Sequence, residues 1–348
     1  MPGSVRGVAL TLTVDRARWR EHVAATRAAF PGLVPVVKGN GYGFGLTYLA
    51  ELVSSWEPVT AGERAAGEPA EGELALGTVH ELAVGTVHEL AGLPADGPRP
   101  LVLTPALARE LPIGVGPAVL TVGSERHVGE LASAGLHPPV IVKLASPMRR
   151  YGVAPDDLPG LLAAVDRAGL PVHGFAVHPP LAGSSDDHVE AIRRWLPALP
   201  ADALVYASHL DAAGYAAVRA AGDDDVRWRI RLGTALWHGD KSSLHLTADV
   251  LDVRPVRGGD RVGYRAVAAP ADGSLVMVTA GTAHGVHPLA GGQSPFHFAR
   301  ERLRLVEPSH MHTSMCFVAA DSPCPEVGDV VDVQHPLTQT LVDRILEV

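Results

Sequence analysis

The chain has 348 residues, 47% of them apolar, and carries a formal net charge of −9. That length has room for two domains, or for one barrel with an appended module, and the apolar content supports a sizeable core. The acidic balance argues against a nucleic-acid partner, and two cysteines, Cys316 and Cys324, give no disulfide framework. No apolar run approaches a membrane span, and charges interrupt the N-terminal stretch, so a cytoplasmic location without a membrane partner is expected.

Val8 to Leu12 reads as a strand, and Asp15 to about Phe30 as an amphipathic helix stopped by Pro31-Gly32. The strand Val34-Pro35-Val36-Val37 then delivers Lys38, followed at once by alternate glycines in Gly39-Asn40-Gly41-Tyr42-Gly43-Phe44-Gly45. The chain has only three lysines, Lys38, Lys143 and Lys241, so one at the end of an apolar strand is not a generic solubility residue. Apolar surroundings lower a lysine's pKa and make its amine a nucleophile or Schiff-base partner, while free N–H groups of a glycine loop cradle phosphate. A lysine and a phosphate cradle together point to pyridoxal 5'-phosphate, held through its aldehyde and its phosphate. A P-loop has the glycines before the lysine, and the order here is the reverse.

Further along, Gly77-Thr78-Val79-His80-Glu81-Leu82 recurs as Gly85-Thr86-Val87-His88-Glu89-Leu90. The period is too short for a solenoid, and a duplicated helix turn is preferred to a metal site built from His80, Glu81, His88 and Glu89. Candidate strands follow at Leu74–Leu76, Pro100–Leu103, Ala118–Thr121, Val140–Lys143, Val172–Ala176, Leu204–Ala207 and Trp228–Arg231, with helices such as Asp157 to Ala168 and Asp187 to Leu199 between them. This alternation predicts an α/β fold: a parallel (β/α)8, TIM-like barrel over residues 1–237, with chemistry at the C-terminal strand ends where Lys38 falls. After Gly239 helical periodicity nearly vanishes, and strands at Leu244–Val253, Ser274–Thr279 and Glu326–Val333 predict a separate β domain over 238–348.

With these elements in order, the whole chain resembles the alanine racemase family of fold-type III pyridoxal-phosphate enzymes. The family's Lys-Ala-Asn-Ala-Tyr-Gly-His-Gly is similar to Lys38–Gly45. The resemblance implies that Lys38 forms the internal aldimine and acts as one Cα base, and that the Tyr42 hydroxyl binds the phosphate. Val142 to Gly152 is similar to Leu-Lys-Val-Asp-Thr-Gly-Met-Gly-Arg-Leu-Gly. By that match Arg150 donates to the cofactor's phenolate oxygen and helps receive the substrate carboxylate, and Lys143 is the lysine some members carbamylate. His178 resembles the histidine packed on the pyridine ring, and Ser208, or His209 one residue on, the phosphate-binding serine. Arg231-Leu232-Gly233-Thr234-Ala235-Leu236-Trp237 resembles Arg-x-Gly-Ile-x-x-Tyr. It implies that Arg231 faces the pyridine nitrogen and that Gly233 and Thr234 offer N–H groups to the phosphate. An arginine there leaves the ring nitrogen unprotonated, which favours racemases over the related decarboxylases.

The chain departs from the family in its β domain. Where the family has Gly-Tyr-Ala-Asp-Gly, whose tyrosine is the second base, this chain has Gly281-Thr282-Ala283-His284-Gly285; His312-Thr313-Ser314-Met315 likewise replaces Ser-Met-Asp-Gln. Threonine is a poor base near neutral pH, whereas His284 has suitable chemistry and, on a strand, would share the face of Thr282. The expected function is a pyridoxal-phosphate-dependent amino-acid racemase or epimerase, an isomerase, acting on an amino acid or a derivative with an altered second base. A homodimer completed in trans is implied. The alternatives are a one-base lyase, aldolase, dehydratase or decarboxylase, or a non-catalytic regulatory homologue. His284, His287, His310, His312, Cys316 and Cys324 lack compact metal-ligand spacing, so no metal is expected.

Overall fold

The computed structural model describes residues 8–56, 81–111, 116–221 and 226–348. The described chain opens with β1 (Leu10–Val14) and α1 (Arg16–Ala29). Contacts divide it into two units: one formed by Val23–Gly39 with Leu46–Trp237, the other by residues 8–22, Asn40–Gly45 and His238–Val348.

The first unit is an eight-stranded parallel barrel with helices. In chain order it contains β2 (Leu33–Pro35), α2 (Leu46–Ser54), β3 (Glu81–Val84), β4 (Arg99–Pro105), β5 (Val119–Val122), α3 (Glu125–Ser133), β6 (Val140–Lys143) and α4 (Leu158–Arg167). β7 (Val172–Ala176), α5 (Ser185–Arg193), β8 (Ala203–Ala207), α6 (Ala212–Ala221), β9 (Val226–Leu232) and the short α7 (Thr234–Trp237) complete it. The strand order is β2-β9-β8-β7-β6-β5-β4-β3. A parallel bridge between Val36 and Ala83, with the Val37 N–H donating to the Ala83 carbonyl at 2.9 Å, brings the two ends of that order together. Every residue of β5 and β6 is buried, which is why these strands read as continuous apolar runs rather than alternating ones. Ser124 and Ser184 cap α3 and α5, the latter in a reciprocal box with Asp187.

A polar cluster fills the N-terminal end of the barrel. The Glu81 carboxylate accepts from the Tyr206 hydroxyl at 2.8 Å and lies 2.7 Å from His173 Nε2. Glu81 begins β3 and His173 stands near the start of β7, four places away around the ring in either direction, so they meet only across the lumen. Burial pushes the Glu81 carboxyl up, but His173 and the Tyr206 hydroxyl together hold it below the usual carboxylate range.

The second unit is antiparallel apart from one pairing. Its strands are β10 (Leu244–Val256), the small hairpin β11 (Arg261–Val262) and β12 (Val267–Ala268), β13 (Gly273–Val278), β14 (Phe296–Phe298), β15 (Glu301–Arg302), β16 (Arg304–Leu305), β17 (Ser314–Ala319), β18 (Val330–Val333) and β19 (Arg344–Glu347). The thirteen-residue β10 pairs with β1 and β18 over its first half and with β13 over its second, across a bulge between Val250 and Asp252. β1 also pairs, in parallel, with β19. Val256, Ala269, Leu275 and Phe317 form a buried cluster, with Met277 and Met315 packed against it.

Two local expectations change. Glu81-Leu82 of the first repeat copy begins β3, whereas Val87–Gly92 of the second forms a 3-10 helix, so the described ends of the two copies do not share one turn. One copy runs into a strand whose last three residues are buried and the other leaves the sheet, so tertiary context overrides local similarity. Within Glu326–Val333 only the last four residues are strand. Leu74–Leu76 and His80 lie outside the described residues. Among the described residues no helix is long and apolar enough to cross a membrane.

Candidate active site

The C-terminal ends of the barrel strands bring together most of the residues singled out in the sequence. Lys38 follows β2, Lys143 ends β6, His178 lies just past β7, Ser208 just past β8, and Arg231 near the end of β9. Arg150 sits on the loop after β6, whose base is closed by the Ala145 N–H on the Val153 carbonyl and the Val153 N–H on the Lys143 carbonyl. Its guanidinium stands 4.6 Å from the centre of the Tyr151 ring. Gly233 precedes α7 and Thr234 opens it, and the Gly233 carbonyl accepts from the Leu236 and Trp237 N–H groups. The Trp237 indole N–H, bonded to the Val36 carbonyl at 2.8 Å, ties that turn to the strand carrying Lys38.

His178 Nδ1 and Ser208 Oγ are hydrogen-bonded at 2.5 Å, and the His209 ring packs on His178 with centroids 4.4 Å apart. Of the two candidates at this strand end, Ser208 is the one bonded to His178; His209 instead donates through Nδ1 to the Pro179 carbonyl. The Ser146 hydroxyl donates to the His178 carbonyl at 2.8 Å, linking the β6 and β7 loops.

The charges at this mouth are unbalanced. The Lys38 amine is lowered from its ordinary value, first by burial, then by repulsion from Arg150 and Arg231, with Glu89 pulling the other way. Lys143 is lowered well below its ordinary value by burial, Arg231 and Arg150. Burial brings Arg231 down to about 10, which leaves it a cation at neutral pH. The same burial, with Arg231 and Lys143 beside it, drives the His178 imidazole down to about 2, so its ring is neutral. Two buried nitrogens here, Lys143 Nζ and Arg231 Nε, have no hydrogen-bond partner. An unmet buried donor costs about 1–3 kcal/mol. A cationic mouth with unmet donors is therefore suited to a ligand bearing anionic oxygens, and the residues fit a cofactor with phosphate and phenolate groups.

The glycine loop corrects one expectation. Gly39, Gly41, Gly43 and Gly45 all take positive φ, as does Tyr42. The N–H groups of Gly43, Phe44 and Gly45, however, already donate to the Asn40 and Gly41 carbonyls, so these three are not free to cradle a phosphate. Tyr42 and this loop group with the second unit, where the Tyr42 carbonyl is bonded to His238 Nε2 at 2.7 Å and Asn40 donates to the Leu337 and Thr340 carbonyls.

In the second unit, Thr282–His284 is a 3-10 turn and not a strand, so Thr282 and His284 do not share a strand face. Gly281 precedes it because a Cβ there would lie 2.3 Å from the His310 carbonyl oxygen. Thr282 is exposed. His284 is buried; the Gly281 N–H donates to its Nδ1 at 3.2 Å, and Nε2 lies 3.2 Å from the Asp343 carboxylate. His310 is bonded to Glu307, and Cys316 is buried, its thiol pushed up to about 12. Among the described residues no three His, Cys, Asp or Glu side chains converge as metal ligands. Sequence reasoning met Glu89 only as half of a repeat and missed its place beside Lys38; nothing in its local spacing signals that place.

Comparison with known proteins bears on this arrangement. Residues 68–240 match the family model for the alanine racemase N-terminal domain. The chain is 28% identical over 303 residues to alanine racemase of Mycobacterium tuberculosis (strain ATCC 25618 / H37Rv), covering 79% of this chain and 71% of the relative. The chain belongs to the alanine racemase family. A second family member, alanine racemase of Acidithiobacillus ferrooxidans, is 26% identical over 342 residues, covering 90% of this chain and 86% of that one. Among solved structures, biosynthetic alanine racemase of Pseudomonas aeruginosa shares the family fold with a TM-score of 0.66 at 20% identity, covering 98% of this chain and 99% of that one. Alanine racemase of Bartonella henselae, solved with covalently bound pyridoxal phosphate, gives 0.65 at 19% identity, over 95% and 92% of the two chains.

Proposed function

We propose that this chain is a pyridoxal-phosphate-dependent amino-acid racemase or epimerase in which Lys38 carries the cofactor and serves one face of the substrate. The observation that carries this reading is the Lys38 amine, held below its ordinary pKa at a barrel mouth beside the cationic side chains of Arg150 and Arg231. Family membership and the cofactor in the Bartonella henselae relative support it. Lys38 would join the cofactor aldehyde; Tyr42, Ser208, Gly233 and Thr234 would hold its phosphate. Arg150 would meet its phenolate oxygen and the substrate carboxylate, with Lys143 beside it. When bound, the cofactor withdraws electrons from the substrate Cα–H bond and makes that proton acidic.

The chain's own groups then divide the work. Lowering its pKa leaves more of the Lys38 amine unprotonated near neutrality, so it can accept the Cα proton and return it. His178 stays neutral, and its bond to Ser208 keeps the ring fixed. Arg231 remains a cation and would face the ring nitrogen, leaving no proton there. Proton transfer on the opposite face falls to the Thr282–His284 turn, supplied by a second subunit in a homodimer. His284 would have to exchange its Asp343 contact for substrate to take part. That constraint favours a second reading, a one-base reaction such as elimination or decarboxylation, if His284 stays where it is.

The test is to load the protein with pyridoxal phosphate and incubate it in D2O with a panel of L- and D-amino acids. Deuterium at Cα with inversion supports the racemase. Exchange with retention shows Lys38 working alone, and no exchange with any substrate overturns the assignment. Lys38→Ala should abolish exchange, and His284→Gln should suppress inversion while leaving single-face exchange.

A further inference from the structure

The strand register places Gly85 beside Lys38. Val36 bridges Ala83 and the Val37 N–H bonds the Ala83 carbonyl at 2.9 Å, so two residues on, Lys38 stands opposite Gly85. A Cβ built on Gly85 would lie 3.4 Å from Lys38 Cβ and 3.0 Å from Glu89 Oε1. The Gly85 peptide is fixed at both ends: its N–H donates to Glu89 Oε2 at 2.7 Å, and its carbonyl accepts from Thr104 N at 3.0 Å and Thr104 Oγ1 at 2.7 Å. The Glu89 carboxylate is thereby held on the Gly85 N–H, next to the root of Lys38. Of the charged groups acting on Lys38, Arg150 and Arg231 are cations and Glu89 is the anion.

We propose that Glu89 is a positioning residue for Lys38: held on the Gly85 N–H, its carboxylate is the counter-charge that offsets Arg150 and Arg231 at the amine. Without it, two arginines would act unopposed on an amine that must both accept and return a proton. A lysine kept too far from its protonated form gives up the second half of that cycle. The proposal rests on the role of Lys38 given above, and it concerns the amine before any cofactor is attached.

A plain structural role, holding the turn after β3, makes the opposite prediction for a suitable pair of variants. Glu89→Gln keeps a carbonyl acceptor for the Gly85 N–H and removes the charge. Glu89→Asp keeps the charge and shortens the reach to Gly85. With three lysines in the chain, reductive methylation with 13C-formaldehyde on the full-length, cofactor-free protein gives few resonances, and Lys38→Arg identifies that of Lys38. A titration followed by NMR should show the Lys38 midpoint about one unit lower in Glu89→Gln, a tenfold change, and near wild type in Glu89→Asp. An unchanged midpoint in Glu89→Gln overturns the proposal, as does a shift confined to Glu89→Asp. Failure of the wild-type chain to take up pyridoxal phosphate would sink the functional assignment and leave this titration to decide the role of Glu89 by itself.

Discussion

At the residue scale, His178 shows what the cationic mouth does to a titratable group. The folded protein holds the imidazole near 2, against 6.5 for an unperturbed ring. Between those values the unfolded chain binds a proton that the folded one refuses, so stability falls as pH drops below 6.5, and the loss is complete only below 2. The slope from one such group is at most about 1.4 kcal/mol per pH unit. His178→Gln should flatten the acid limb of a urea-midpoint profile by up to one proton; parallel profiles would mean the ring titrates in the folded state. Lys38 was legible from its place at a strand end before the glycines, and Arg150 and Arg231 through stretches that resemble the family's motifs. Glu89 was not, because its partner Gly85 meets Lys38 through the closure of the barrel, and ring closure leaves no mark on neighbouring residues.

At the scale of elements, the barrel has a chemically active end and a plugged end. Glu81, His173 and Tyr206 close the N-terminal end through a carboxylate bonded across the lumen. Tyr206→Phe removes a hydroxyl donor to that charged group, worth about 1.5–3 kcal/mol. The expected result is a loss of that size in urea unfolding, with the Lys38 titration unchanged because the amine lies at the opposite end. A shifted Lys38 midpoint in Tyr206→Phe would show the two ends to be coupled. The strands of His173 and Tyr206 were visible as apolar runs, but the stretch holding Glu81 read as a helix turn, and the meeting of the three across the ring left no local mark. The turn at Thr282–His284 was hidden for a different reason. A strand was only the setting in which Thr282 and His284 would share a face, whereas Gly285 at φ 74 and the Gly281 N–H on His284 Nδ1 fold the stretch into a single helical turn.

For the whole molecule, the change of texture after Gly239 announced a β region, but nothing announced that β1 belongs to it. β1 is antiparallel to β10 and parallel to β19, and the Arg344 guanidinium reaches the Thr11 hydroxyl at 2.9 Å across 333 residues of chain. A strand so short carries no information about so distant a neighbour. Removing residues 344–348 should leave β1 with one open side. Hydrogen exchange should then quicken in a peptide covering Leu10–Val14 and stay slow in β5 and β6; uniform acceleration would show instead that the sheet and barrel unfold as one. The arrangement also bears on how the protein is made. Of the two strands β1 leaves the ribosome first, and its parallel neighbour is synthesised more than three hundred residues later. At roughly 5–20 residues per second, β1 waits tens of seconds with an unpaired edge. A nascent chain in that interval is exposed to wrong partners, including the same strand on a neighbouring copy, so the yield of active protein should depend on how quickly the last strand arrives.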